Sequence, residues 1–528
     1  MAFLTIPNAA RAAILSVVCY HLYKIFRFGH REKNLPPGPP TIPVLGNAHL
    51  LPWKDLHLKF KEWSDQYGAV FSIKIGESTV VVLNDPRAVH QLINKRGALF
   101  ADRPEEEQWD LATNKEAFGI MHSDPIWRAI RKIVTQILSP KNLDGTWNNI
   151  QEAEINQMML DLLDQPEDFR SSVQRVSASI ASTILYGHRA PTWENFWASE
   201  VHYTTDLLVK ALSPGSYLPA TQFPILKYIP ERWLASKKFA KMTYARNTAT
   251  FAKARAIVEE RRQNGDFRHS LIDSVLDGVV EPDVPLTYSQ INNSLLGNVH
   301  QGASETSSNS TLTSILFLAK NPHVQRKAQI ELDRVCGIDR MPRWSDFDAL
   351  PYINCIVKEG LRIRPVLPNG LPHRATGDSW YDGMLIPKDA TVIIPIWALN
   401  HTYYPEPSTY NPDRYINHRK SSSEYAVAAE FEHRDHYAFG SGRRFCVGIH
   451  LGERTLWRSV AQLLWAFNIE PAVDADGEPV PLNTDAYEGD FASAPMPFKV
   501  RIVPRSPKHA EIVQRAAADV QDHLKQWE

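Results

Sequence analysis

Ten residues near one end of this 528-residue chain constrain it more than any other stretch: Phe439-Gly440-Ser441-Gly442-Arg443-Arg444-Phe445-Cys446-Val447-Gly448. Glycines at 440, 442 and 448 permit positive φ and let the backbone approach a flat ligand closely. Arg444 can meet a carboxylate. A helical pattern starts directly after Cys446, and a cysteine near a helix N-terminus and backbone N–H groups is stabilised as a thiolate. Such a thiolate, bound to haem iron, pushes electron density onto the metal and favours O–O cleavage. A glycine-rich turn carrying a structural cysteine is the plain alternative. Phe, spaced glycines, Arg and Cys in one register disfavour it.

Composition narrows the class. The 58 basic and 59 acidic residues leave a formal net charge of −1, whereas a nucleic-acid partner needs a basic excess. Hydrophobic residues at 43% and charged ones at 22% are those of a globular protein with a large core. With 37 prolines against 25 glycines, many connections should be stiff and extended. Cys19, Cys336, Cys355 and Cys446 form no C-x-x-C pair, which argues against a zinc site or a redox dithiol. Three of the four are expected to be ordinary small apolar residues.

The first thirty-odd residues differ from the rest. Ala12 to Tyr23 carries no formal charge, with Arg11 before it and Lys24, Arg27, Arg31 and Lys33 after it. These twelve uncharged residues fall short of the roughly 20 that a span needs, unless Lys24 and Arg27 snorkel to the interface. A secretory signal and a monotopic amphipathic helix are the alternatives, the first weakened by the lack of an A-x-A-like cleavage site. The expected division is a membrane anchor over 1–28, a basic flank and proline-rich hinge over 29–46, and a catalytic domain over 47–528. Leu35-Pro36-Pro37-Gly38-Pro39-Pro40 reads as a stiff spacer or an ordinary linker. Beyond it, Val70–Ile75 and Thr79–Leu83 read as paired strands. Pro86 to about Val335 is mostly helical, with loops near Gly187–Glu194, Ser213–Gln222 and Gln263–Arg268. Arg419–Glu424 reads as a solvated loop.

The glycine–cysteine segment resembles the F-x-x-G-x-R-x-C-x-G haem signature of the cytochrome P450 family at every fixed position: Phe439, Gly442, Arg444, Cys446 and Gly448. The resemblance implies Cys446 as the axial metal ligand of a haem b and Arg444 beside a propionate. Glu359-Gly360-Leu361-Arg362 matches the family's E-x-x-R. Asn411-Pro412-Asp413-Arg414-Tyr415 resembles P-E-R-F with Asp and Tyr substituted, so Glu359, Arg362 and Arg414 are implied as a structural triad. Gly302-Ala303-Ser304-Glu305-Thr306-Ser307 is similar to the oxygen-activating A/G-G-x-D/E-T-T/S segment, with Ala303 and Ser307 as departures, and implies Glu305 and Thr306 as a catalytic proton relay. Trp127 and Arg131 match W-x-x-x-R and are implied as propionate contacts, as is Arg374 in Pro372-His373-Arg374.

The implied fold is mainly α with a smaller β-rich portion, the cytochrome P450 fold. The implied activity is that of a haem-thiolate monooxygenase inserting one oxygen atom from O2 into a hydrophobic small molecule. A more particular likeness is to microsomal fungal enzymes of secondary, aromatic-polyketide metabolism, at the endoplasmic reticulum membrane with the catalytic domain facing the cytosol. The residues after Gly448 are too few for a fused flavin reductase, so a separate NADPH–cytochrome P450 reductase is the expected partner. Oxidative phenol coupling by the same haem remains an alternative, as does a non-enzymatic haem carrier or sensor. A hydroperoxide-consuming enzyme has no need of the Glu305–Thr306 pair. By analogy with the family, Phe100–His122, Asn298–Glu305, Pro365–Pro372 and Tyr487–Met496 should line the pocket, with His122 and Asn369 among its polar groups.

Overall fold

The computed structural model describes residues 13, 15–17, 19, 20, 23, 27–428 and 430–528. Most of the expected 1–28 anchor lies outside these residues. No helix among the described residues is long and apolar enough to cross a membrane.

Nine helices frame the functional region. The first, α1 (Pro125–Ile137), starts where Asp124 accepts the Trp127 N–H at 2.7 Å and Pro125 occupies the first turn. It buries Trp127, Ala129, Ile130, Ile133 and Val134 along one face. Then come α2 (Asn148–Asp164) and α3 (Phe169–Tyr186), the latter ended by Gly187 at φ +73°. They are followed by α4 (Val201–Leu212), α5 (Ala235–Gln263), α6 (Asn298–Lys320), α7 (Pro322–Val335), α8 (Pro351–Ile363) and α9 (Ile449–Ala466). The loops expected near 187, 213 and 263 fall between α3 and α4, after α4, and after α5.

The central helix is α6, packed on α3, α4, α8 and α9. Its sequence is rich in Ser and Thr, residues that compete with helical bonding. Burial is possible because the hydroxyls donate to carbonyls one turn back: Ser304 to His300 (2.7 Å), Thr306 to Gly302 (2.8 Å), Ser310 to Thr306 (2.8 Å) and Ser314 to Ser310 (3.0 Å). Small, satisfied side chains let neighbouring helices approach and leave room along one stretch of the helix.

The β-rich portion is a four-stranded sheet of β1 (Val70–Ile75), β2 (Ser78–Leu83), β3 (His373–Arg374) and β4 (Thr391–Ile393), in the order β1-β2-β4-β3. The first pair is antiparallel with Val70 opposite Leu83, and β2 runs parallel to β4. The proline-rich segment is bound to this sheet. The Ser72 N–H donates to Pro37 O at 2.7 Å, Asn47 Nδ2 to Pro40 O at 2.9 Å, and Arg31 Nη1 to Ser72 O at 2.9 Å. A Cβ on Gly38 would lie 1.9 Å from Ser72 O, so only glycine permits the contact. These bonds make the segment a strap along β1. The polar run at 419–424 is likewise more structured than a solvated loop: Ser421 caps a short helix, and Ser422 is buried.

Candidate active site

A cavity of about 310 Å3 lies between α6 and the loop that carries Cys446. The loop's shape follows from its glycines. Gly440 and Gly442 have φ of +73° and +65°, and a Cβ at Gly442 would meet Ile93 O at 2.3 Å. The Cys446 N–H donates to Phe439 O at 2.9 Å, which closes the loop on itself. Arg434 holds it from behind, with Nη2 on Gly440 O at 2.5 Å and Nη1 on Ser441 Oγ at 3.1 Å. The helix expected after Cys446 starts at Ile449.

Cys446 lines the cavity and is exposed to it. Burial raises its thiol pKa, while the Gly448 N–H and the Arg131 guanidinium favour the thiolate. A coordinated metal would outweigh the first effect and deprotonate the sulfur outright. Cys336 and Cys355 are buried and Cys19 is exposed.

The wall around the thiol is cationic. Arg131 Nη2 donates to Phe445 O at 2.8 Å, and the Arg444 guanidinium lies 4.1 Å from the Trp127 ring centre. Arg444 Nη2 donates to Met121 O, while its buried Nη1 has no hydrogen-bond partner among the described residues. Arg103 joins them, its Nε on Gly119 O at 3.0 Å and Nη1 on Leu371 O at 3.1 Å. Burial and mutual repulsion push Arg103 well below its ordinary range and bring Arg444 to about 9, Arg131 being the main neighbour acting on the latter. His373 completes the wall with Nδ1 on Phe100 O at 2.7 Å, and burial followed by Arg103 lowers its pKa to about 3. Three guanidinium groups around one cavity call for an anion. The two propionates of a haem would supply that charge and Cys446 could ligate its iron, so the residues present fit the group.

Arg374 is placed differently. Its Nε donates to Asp102 Oδ2 at 3.0 Å, and Glu105 and Asp389 lie within 4.0 Å of its Nη1. It does not line the cavity. Burial opposes ionisation of Asp102, but Ser123 N–H, Arg374, Arg103 N–H and His122 together bring its pKa to about 2. His122 is therefore a partner of Asp102 at 3.0 Å, outside the cavity lining, and Asn369 braces Asp490 O at 3.1 Å. Tyr487–Met496 contributes no lining either. It supports the cavity through Ser493 N–H on Val366 O at 2.7 Å. Arg103 and His373 are the residues that motif reading passed over. Their signals were a lone Arg-Pro after Phe100 and a His beside a more conspicuous Arg.

Opposite the thiol, α6 presents Asn298, Val299, Gly302, Ala303, Thr306 and Ser307 to the cavity. Glu305 does not line it. Its carboxylate bonds Asn309 Nδ2 at 2.8 Å and meets His202 Nδ1 at 3.0 Å. Phe439 lines the cavity on the loop side.

Glu359, Arg362 and Arg414 meet behind the site. Arg362 Nε and Nη2 bond the two Glu359 oxygens at 2.7 and 2.8 Å, and Arg414 Nε reaches Oε1 at 3.2 Å. The same Oε1 accepts the Asn411 N–H at 2.8 Å. The two guanidinium groups also take carbonyls of Asn400, Pro407, Glu406 and Thr409, which anchors the chain leading to the cysteine loop.

A thiol on a glycine loop, a cationic rim and a helix face of small and hydroxyl-bearing residues fit a haem-thiolate site. Residues 36–501 match the family described as Cytochrome P450. The chain is similar to a cytochrome P450 monooxygenase of Arthrobotrys oligospora, 38% identical with 93% of each chain covered. It is similar also to the monooxygenase yanC of Aspergillus niger (36%, covering 98% of this chain and 97% of that one) and to macC of Penicillium terrestre (36%, 99% of each). A zebra fish cytochrome P450 solved with abiraterone shares the fold, with TM-score 0.66 and 23% identity over 86% of this chain and all of the other. The chain belongs to the cytochrome P450 family and is a monooxygenase, an oxidoreductase that works with a haem-thiolate centre.

Proposed function

We propose that the protein inserts one oxygen atom from dioxygen into a hydrophobic small molecule, as a step of fungal secondary metabolism. The observation that carries this reading is the placement of Cys446 and Thr306 on the lining of one cavity. A haem b held there would supply the iron at which dioxygen is activated. Cys446 would ligate it, and Arg103, Trp127, Arg131, His373 and Arg444 would hold its propionates. Phe118, Val299, Ala303, Val366, Leu367 and Leu371 line the space with apolar surface, which selects a hydrophobic substrate and excludes water. Thr306 Oγ1 donates to Gly302 O at 2.8 Å, which keeps a hydroxyl proton on the cavity wall. Glu305 beside it is the acid that resupplies that proton.

The fungal relatives support the metabolic assignment. The uncharged run at 12–23 and its basic flank support attachment to the endoplasmic reticulum membrane with the catalytic body in the cytosol. NADPH–cytochrome P450 reductase is the electron donor in this reading. Turnover of a panel of aromatic polyketides, terpenes and fatty acids under labelled dioxygen tests it. One labelled oxygen in the product is expected. An unlabelled dimer as sole product would establish phenol coupling instead, and NADPH consumption unaffected by every substrate would point to a carrier.

A further inference from the structure

Glu305 and Thr306 are neighbours on α6, and successive helical residues point about 100° apart. Thr306 lines the cavity, while Glu305 turns towards α4 and meets His202. His202 and Asp206 sit one turn apart on α4, and one ligand atom from each of His202, Asp206 and Glu305 lies within 4.8 Å of the other two. The His202 side chain is 18% exposed and that of Glu305 is 12% exposed. Asp206, His202 and Glu305 thus form a compact cluster of titratable groups between α4 and the residue beside Thr306. The resemblance-based relay of Glu305 and Thr306 says nothing of how Glu305 regains a proton. The neighbours on this side of α6 do.

We propose that His202 is the positioning residue that relays solvent protons, by way of Asp206, to Glu305. Its two ring nitrogens are set for the task. Nδ1 faces Glu305 Oε2 at 3.0 Å, and Nε2 lies 3.0 Å from the Gln174 amide. Turned over, that amide accepts from Nε2–H through its oxygen in both the charged ring and the neutral ring left after transfer, which leaves Nδ1 to hold or release the proton facing Glu305. In the transfer, the N–H bond at Nδ1 breaks and an O–H bond forms on Glu305. The electron pair stays on Nδ1, Nε2 keeps its proton, and the neutral ring then takes one proton from the Asp206 side. Glu305 passes its proton on to the Thr306 side and returns to carboxylate.

The groups facing the imidazole are Glu305 on α6, Asp206 on its own helix, Arg170 and Gln174 on α3, and the Trp193 ring, edge-to-face with centroids 5.4 Å apart. Glu488 and Lys210 act on Asp206. Burial works against the charged ring and Arg170 repels it, but the two carboxylates outweigh both and raise the His202 pKa above 6.5. The charged ring that donates at Nδ1 is therefore present below that pKa and lost above it.

This inference rests on the oxygen-insertion reading, and one set of measurements separates the two. In the wild-type holoenzyme with its reductase, product per NADPH should fall as pH rises through the His202 pKa. His202→Gln should lower product per NADPH roughly ten-fold near neutral pH and abolish that alkaline limb. This is less than a positioned proton donor usually contributes, because water can partly replace the ring. Turnover driven by added hydrogen peroxide, which arrives already protonated, should be retained. Asp206→Asn removes both the carboxylate that hands protons to His202 and one that raises its pKa, so product per NADPH should fall and the limb should move to lower pH. Wild-type coupling and limb in His202→Gln, equal loss with both oxidants, or an unmoved limb in Asp206→Asn each overturns the relay. Should His202→Gln yield too little holoprotein, the Asp206→Asn profile decides alone. Failure of the oxygen-insertion reading shows separately, as wild-type product without label.

Discussion

Glu359→Gln removes one negative charge from a site where that charge serves three partners. The carboxylate accepts two bonds from Arg362, one from Arg414 and one from the Asn411 N–H, at 2.7 to 3.2 Å, and its side chain is fully buried. An amide of the same shape has one acceptor oxygen and turns an NH2 group towards cations. Arg362 is itself fully buried, so its charge is left without a counter-ion. Breaking a buried ion pair in this way costs about 3–5 kcal/mol, out of a total stability on the order of 5–15 kcal/mol. Arg414→Ala should cost less, about 1–3 kcal/mol, because it leaves the Glu359–Arg362 pair in place. The assay is the urea midpoint of each variant together with haem bound per polypeptide. The expected order is wild type, Arg414→Ala, then Glu359→Gln, with haem content falling in parallel because the triad anchors the chain that enters the cysteine loop. A Glu359→Gln protein with wild-type midpoint and haem content would refute the reasoning.

Cys446→Ser should lose the thiolate-type absorption of the reduced CO complex, and a spectrum unchanged from wild type would rule out the ligand assignment. Arg103→Ala should weaken haem retention markedly more than Arg374→Ala, since Arg103 lines the cavity and Arg374 is bound to Asp102. Haem release to an apo-globin trap measures this, and the reverse order would return the propionate role to Arg374.

Much of the site was legible because its chemistry is local in sequence. Phe439, Gly442, Arg444, Cys446 and Gly448 fall within ten residues, and the glycines announce a loop geometry that other residues cannot adopt. Glu359 and Arg362 are three apart on one helix, where spacing alone implies contact. Arg374 and Glu305 show where the reading weakens. Each sits in a recognisable segment, yet its direction depends on partners far along the chain: Asp102 for one and His202 for the other. The proline-rich segment is a similar case. Proline excludes helix, but whether an extended stretch stands free or lies on a strand depends on Ser72 and Asn47.

What the sequence determined by itself is what covalent neighbours and short periods dictate: the helical course from Pro86 onward, the β1–β2 pair, the cysteine loop and the small, hydroxyl-rich stretch of α6. Tertiary structure decided which cations converge. Arg103, Arg131 and Arg444 come from three separate stretches of chain, and only packing brings them to one cavity with Cys446. It also decided that α6 offers Thr306 to the cavity and Glu305 to α4. The physical reason is the same in each instance. A side chain's polar partners are set by burial and distance, and across a fold of this size those are properties of the assembled helices, with no trace in the spacing of residues along any one of them.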